Sequence, residues 1–244
     1  MVQHLIDLLW ADHVEAPRAG RRGPRSRLTG TEVVDAAIEI ADADGLAAVT
    51  MRRLGERLGI STMSVYTHVN SRDDLLVLMA DATRHRMPRP LFAQKDWRSR
   101  VRAVAEAERE LFLSHLWLLE VTDPRTALGP GAIAQYDHDL HAFDGTGLDD
   151  VTRDAAVTFV LDFVRSAARA IATTPVGMGE EWESLGARLD RYVGDDFPLA
   201  TRVGAAAGAT MQAAYSPDHA WRFGVERVID GLAVLVQETP SPGE

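Results

Sequence analysis

Residues 50–70, TMRRLGERLGISTMSVYTHVN, constrain the fold more than any other stretch, because they encode two short helices joined by a tight turn. Thr50 is a suitable N-cap, its hydroxyl able to accept a bond from an orphan N–H of the first turn. Met51, Leu54 and Leu58 repeat as one apolar stripe at helical spacing. Gly59 tolerates the left-handed conformation that ends a helix. Ser61 then caps a second helix, whose Val65 and Val69 lie four apart and turn inward. That leaves Thr62, Met63, Ser64, Tyr66, Thr67 and His68 on the free side. Small polar groups and an aromatic on an uncovered helix face suit a DNA groove, so the segment reads as a helix-turn-helix.

The flanking sequence is helical as well. Thr29 and Glu32 have the S/T-x-x-E spacing of a reciprocal capping box, and the helix they open carries Val34, Ala37, Ile38 and Ala41 before Gly45 stops it. Ser71 with Asp74 repeats the capping pattern ahead of Leu75, Leu78, Met79 and Ala82, in a helix that must end before Pro88. Apolar residues from Val101 to Leu119 predict one long helix, and Ile133, Tyr136, Leu140 and Phe143 predict another after Gly129-Pro130-Gly131. Residues 149–172 are apolar on most of their circumference, which predicts burial on two faces. A short helix is expected near 180–192, a small-residue segment at 204–214, and a helix with a clean stripe at 218–237. No run alternates with the period of a strand, and no repeat is present, so the fold class is all-α.

Net charge is −10, unusual for a DNA binder until it is divided along the chain. Residues 17–28 hold five arginines and no acid, whereas residues 88–244 hold fifteen Lys/Arg against twenty-four Asp/Glu. Screening over about 10 Å makes the local field decide nucleic-acid binding, and the Pro/Gly/Arg arm is placed to lie along a backbone or in a minor groove. Residues 1–16 are compatible with an amphipathic helix or with disorder. Cysteine is absent, which excludes disulfides and thiolate metal sites. No apolar run approaches the roughly 20 residues of a membrane span, and the opening MVQHLIDLLWADHVEA is a poor secretory signal, so a cytoplasmic location is expected.

GLAAVTMRRLGERLGISTMSVYTHVNSRDDLL resembles the DNA-binding head of the tetracycline repressor (TetR) family, with its T-x-R-x-L-x-x-x-L-G helix, its S-V-Y-x-H-V segment and its R-D-D-L start to the next helix. DWRSRVRAVAEAERELFLSHLWLLEV and WRFGVERVIDGL are similar to the body of the tetracycline-repressor subgroup. The resemblance implies an N-terminal extension at 1–27, a three-helix DNA-binding domain at 28–87 and a helical ligand-binding and dimerisation domain at 88–244. It implies a homodimeric repressor, released from a palindromic double-stranded operator by a small molecule bound in the body. Carried over by position, the DNA contacts are Thr50, Arg52, Ser61, Thr62, Met63, Ser64, Tyr66, Thr67, His68 and Arg72. The histidine pattern with which that repressor holds a drug–magnesium complex does not align cleanly with Arg84-His85-Arg86-Met87-Pro88, so tetracycline is not the expected ligand, and no metal or cofactor is assigned.

Each site has a plainer alternative. Arg52 can reach a guanine edge or pair with Glu56 one turn on. Tyr66 points to a phosphate, since Val65 and Val69 already supply the core face. Phe112, His115, Trp117, His138, Phe159, Phe163 and Trp182 are a candidate pocket set, although aromatics at helical spacing commonly form core. Asp137-His138-Asp139 with His141 reads as a solvated polar face, since no convergent further ligand is evident. Val157, Leu161, Val164, Trp221, Val225, Val228, Ile229 and Leu232 are the expected dimer seam. Other classes are a helical small-molecule binder with a degenerate helix-turn-helix and an all-α enzyme. The latter lacks any evident nucleophile, base and orienting group together, so no catalytic residue is assigned.

Overall fold

The computed structural model describes residues 4–13, 28–174, 196–211 and 215–238, with 185, 186, 188, 189, 192, 193 and 213 between them. The basic arm at 17–27, Trp182 and most of the helix expected near 180–192 lie outside the described residues. Among the described residues ten α-helices have defined bounds: α1 (Leu5–Leu9), α2 (Gly30–Asp44), α3 (Met51–Leu58), α4 (Thr62–Val65), α5 (Arg72–Arg86), α6 (Trp97–Ser114), α7 (Pro130–Leu140), α8 (Asp150–Thr173), α9 (Pro198–Met211) and α10 (Pro217–Glu238). Among the described residues there is no strand.

Local chemistry sets most of these boundaries. The Thr29 N–H donates to Glu32 at 2.7 Å while the Glu32 N–H donates to the Thr29 hydroxyl, closing the box that opens α2. Gly45 leaves the helix at φ 81°, and Gly59 ends α3 at φ 67° and ψ 30°. Ser71 caps α5 by accepting from the Asp74 N–H at 3.0 Å. Asp74 does not return the bond to its own cap. It accepts from Asn70 at 3.0 Å and from Arg125 at 2.8 Å, tying the start of α5 to the one-turn segment at 124–127. Within the described residues 4–13 the N-terminal segment forms the short helix α1, which packs Leu5 and Leu9 on Val77 of α5, and the Trp10 indole donates to the Leu128 carbonyl at 3.0 Å.

Two expectations for the body are corrected. The long helix from Val101 stops at Ser114 instead of running to Leu119. Its continuation turns because the His115 ring and the Trp117 indole both meet the Asp42 carboxylate of α2, each at 2.7 Å, and that joint contact buries Trp117. The second correction concerns the dimer seam. Trp221, Val225, Val228, Ile229 and Leu232 are buried within one chain, where α10 packs on α8 and α6. Val157 and Val164 are buried in the same core, and Leu161 packs against it half-buried. The stripe is therefore intramolecular. Gly224 makes the approach possible: a Cβ there would lie 2.4 Å from the Phe163 ring, which stacks on Trp221 at 5.5 Å. Within one chain α8 is buried on one face, and Phe159 on the other is 52% exposed. Exposed apolar side chains on these two helices include Phe159, Phe223, Val234 and Leu235.

Candidate nucleic-acid interface and body cavity

The head places its site residues on one short turn. Met51 and Leu54 anchor α3 while Val65 and Val69 anchor α4, all buried. Gly55 sets how closely the two helices meet, since a Cβ there would come within 2.9 Å of the Ile60 carbonyl oxygen and 3.3 Å of the Thr62 nitrogen. The helix of the second element is shorter than its sequence period suggests: regular hydrogen bonding covers Thr62–Val65, and residues 66–68 continue as turns.

Most of its hydroxyls have local partners. Thr50 accepts from the Arg53 N–H at 3.2 Å, and Ser61 accepts from the Ser64 N–H at 3.1 Å. The Ser61 and Ser64 hydroxyls lie 2.9 Å apart, and Thr67 donates to the Ser64 carbonyl at 2.6 Å. The free surface is then Arg52, Met63 at 73% exposure, Tyr66 at 45%, and the outer side of Thr67, with Thr62 and His68 half-buried at its margin. Arg52 lies 3.7 Å from Glu56, both highly exposed, so the pair is weak and easily exchanged.

Arg72 also has a role within its own chain. Its guanidinium is half-buried and donates to the Val49 carbonyl at 2.8 Å and the Leu46 carbonyl at 2.9 Å. It fastens α5 to the loop before α3, a structural tie within the head that its sequence position did not reveal. Nothing in the local sequence distinguishes the two uses, because the acceptors lie more than 20 residues away.

Helix α5 therefore carries three connections along its length. Its first turn holds the head through Arg72. At its middle, Asp81 accepts from the Ala132 N–H at 2.9 Å, at the start of α7. Burial raises the Asp81 pKa above the usual carboxylate range, opposed by the backbone bonds it receives. Glycine is required at both nearby positions, since Cβ atoms at Gly129 and Gly131 would fall on Asp81 itself. Near its end, Arg84 lines a cavity in the body.

That cavity has a volume of about 250 Å³ and lies between α5, α6, α7 and α8. Phe112, Ala132 and Leu161 give it apolar walls; Glu108, Gln135 and Asp139 give it buried acceptors. Gln135 donates to Asp139 Oδ1 at 2.8 Å, yet Gln135 Oε1 and Asp139 Oδ2 are buried without partners. Burial raises the Glu108 pKa to about 7, reinforced by Asp139 and opposed by Arg84 and Arg165. Burial likewise raises Asp139 to about 7, opposed by Gln135 and Arg89. A second, larger cavity of about 630 Å³ lies between α1, α2 and α5 and is bordered by Trp10, His68, Asp81 and His85.

The expected aromatic pocket set does not converge. Phe112 lines the 250 Å³ cavity, whereas His115 lines a separate cavity with Ile38 and Met87. Trp117 is core. His138 packs at a tilt on Phe92, ring centroids 4.5 Å apart, with Nε2 on the Pro90 carbonyl at 2.9 Å, Phe163 stacks on Trp221, and Phe159 faces outward. Helical spacing placed these residues on faces but could not tell which faces meet. The 137–141 cluster is also corrected in part: Asp137 and His141 are exposed, but Asp139 is buried and His138 is largely covered. Among the described residues no group of three or more His, Asp or Glu could hold a metal ion, and His85 lies exposed outside the body cavity.

Comparison with known proteins bears on both regions. The family description "Tetracyclin repressor-like, C-terminal domain" matches residues 89–236, and "Bacterial regulatory proteins, tetR family" matches residues 33–79. The HTH-type transcriptional repressor DrrR1 of Streptomyces coeruleorubidus is 31% identical over 97% of this chain and 87% of its own length. The tetracycline repressor protein class A from transposon 1721, from Escherichia coli, is 27% identical over 85% of this chain and 92% of its own. Among solved structures, the Streptomyces coelicolor TetR family protein ActR in complex with actinorhodin superposes with a TM-score of 0.72 at 26% identity, covering 87% of this chain and 100% of that one.

Proposed function

The chain belongs to the tetracycline repressor family and is a ligand-responsive DNA-binding transcriptional regulator; from this premise we propose how its own residues divide the work. Arg52, Met63, Tyr66 and Thr67 form the operator-contacting surface, with Thr50, Ser61, Thr62, Ser64 and His68 shaping or flanking it. The 250 Å³ body cavity is the effector chamber. The relative crystallised with actinorhodin supports a small-molecule occupant, without identifying the one used here. The protein acts as a homodimer, and the apolar residues that α8 and α10 leave uncovered, Phe159, Phe223, Val234 and Leu235, are the surface for a second copy. Among the described residues no helix is long and apolar enough to cross a membrane, and we place the protein in the cytoplasm with its DNA.

A single arrangement carries this reading: the helix that holds the head through Arg72 also lines the chamber through Arg84. Two heads reading one operator must sit about 34–36 Å apart, or a multiple of that distance. An effector that prefers the body with α5 displaced moves the heads off this spacing, and release follows from the difference in its affinity for the two shapes. Gel-shift titration of duplexes from the DNA flanking its own gene, at fixed salt, tests the proposal. A saturable shift that competitor DNA does not remove is expected. Binding no tighter to any flanking duplex than to random DNA overturns it.

A further inference from the structure

The chemistry of the chamber narrows what can fill it. Glu108 projects from α6 and Gln135 and Asp139 from α7; all three are buried and line the same space. Among the described residues Gln135 Oε1 and Asp139 Oδ2 receive no donor, and Arg89, whose charge acts on Asp139, likewise keeps its Nε and Nη2 buried without acceptors. Buried acceptors that receive no donor cost stability that a bound donor recovers. Charges facing them are Arg84 from α5, Arg165 and Asp162 from α8, Arg89 from the segment before α6 and His138 on α7. Neither arginine of the cavity wall forms an ion pair with these acids: Arg84 leans on the Ala80 carbonyl, and the Arg165 guanidinium lies over the Phe112 ring at 5.1 Å. His138 Nε2 lies 2.9 Å from the Pro90 carbonyl oxygen, to which it donates, and Nδ1 lies 3.3 Å from Asp139 Oδ1.

We propose that the effector is a compact, largely apolar molecule bearing a cationic amine, with the ammonium seated against Glu108 and Asp139 and donating to Asp139 Oδ2 and Gln135 Oε1. The proposal rests on the body cavity being the effector chamber. Binding is proton-linked. Both carboxyls titrate near neutrality in the empty chamber, so the amine must displace their protons, and it binds more tightly as pH rises through that range.

Three fluorescent probes of one shape test this on the full-length protein: 9-(aminomethyl)anthracene, 9-(hydroxymethyl)anthracene and anthracene-9-carboxylate, titrated at pH 6 and pH 8. At pH 8 the amine is expected to bind at least about tenfold more tightly than the other two, and to lose about a hundredfold at pH 6, about tenfold for each proton displaced. Glu108→Gln weakens the amine at least about tenfold at pH 8 and reduces its pH dependence to that of Asp139 alone, about tenfold, while Glu106→Gln, on the exposed side of α6, changes neither. Asp139→Asn provides a second variant, and circular dichroism checks that each is folded. Equal binding of alcohol and amine, preference for the carboxylate, absence of amine binding up to the solubility of the probe, or indifference to Glu108→Gln each overturns the proposal. Failure of the amine with operator binding intact removes only this effector class. Amine binding to a protein that recognises no operator leaves the site standing and removes the regulator reading beneath it.

Discussion

The head and the body cavity are built on opposite principles. In the head, polar groups are satisfied locally, and Met63 and Tyr66 remain exposed, uncovered by any of the described residues. In the cavity, polar groups come from separate helices, are taken out of water, and are left short of donors. A surface of the first kind suits a large, hydrated partner such as DNA, because little must be desolvated before contact. A site of the second kind suits a small ligand that supplies the missing donors. Between them, α5 is fixed to the head by Arg72 and to α7 by Asp81, so displacement of one end is felt at the other.

The largest expected effect tests where the core ends. Ile229 is 1% exposed inside one chain, so Ile229→Asp buries an unpaired carboxylate and should lower unfolding free energy by about 3–5 kcal/mol in urea titrations. Phe159→Glu, on the uncovered side of α8, should instead shift sedimentation toward monomer with little change in melting. If Ile229→Asp gave a well-folded monomer, the stripe would belong to the interface after all.

Next is the tie between the two regions. Arg72→Ala removes two charge-assisted bonds to backbone carbonyls and should cost about 1.5–3 kcal/mol of stability. Its salt slope for operator binding should match that of the unmodified protein, because no phosphate contact is lost. A slope reduced by about one would return Arg72 to the DNA surface.

A smaller effect comes from the buried acids. Because folding raises the Glu108 pKa to about 7, its contribution is unfavourable once pH rises above the unfolded value, and the penalty is fully present above the folded one. Glu108→Gln should therefore raise stability at pH 8, by about 1–3 kcal/mol, and change little near pH 4. Thermal melts at the two pH values check the sign. Smallest of all, Glu56→Gln should alter stability by only a few tenths of a kcal/mol, since its pairing with Arg52 is exposed, while tightening DNA binding by freeing that arginine.

These contrasts also explain what could be read in the sequence. Caps at Thr29, Thr50, Ser61 and Ser71, the stop at Gly59 and the inward Val65 and Val69 depend on neighbours within a turn or two, and the structure has them where the spacing put them. The tie made by Arg72 was not legible because its acceptors come from a distant loop. The stripe at Val225–Leu232 identified a buried face correctly but did not say which helix covers it. Glu108 carried a signal that went unused: it lies four residues after Val104 and four before Phe112, on the stripe that α6 buries, where a carboxylate needs a reason to be. Asp139, four after the buried Gln135, repeats that signal on α7.

The central claim is that the uncovered side of α3 and α4 is the surface that reads DNA. Fluorescence anisotropy of a labelled duplex that the protein shifts, titrated with the unmodified protein and with Arg52→Ala/Tyr66→Phe, tests it most directly. The account predicts at least about a tenfold loss of affinity in the double variant with an unchanged melting curve. Equal affinity of the two proteins for that duplex would contradict it.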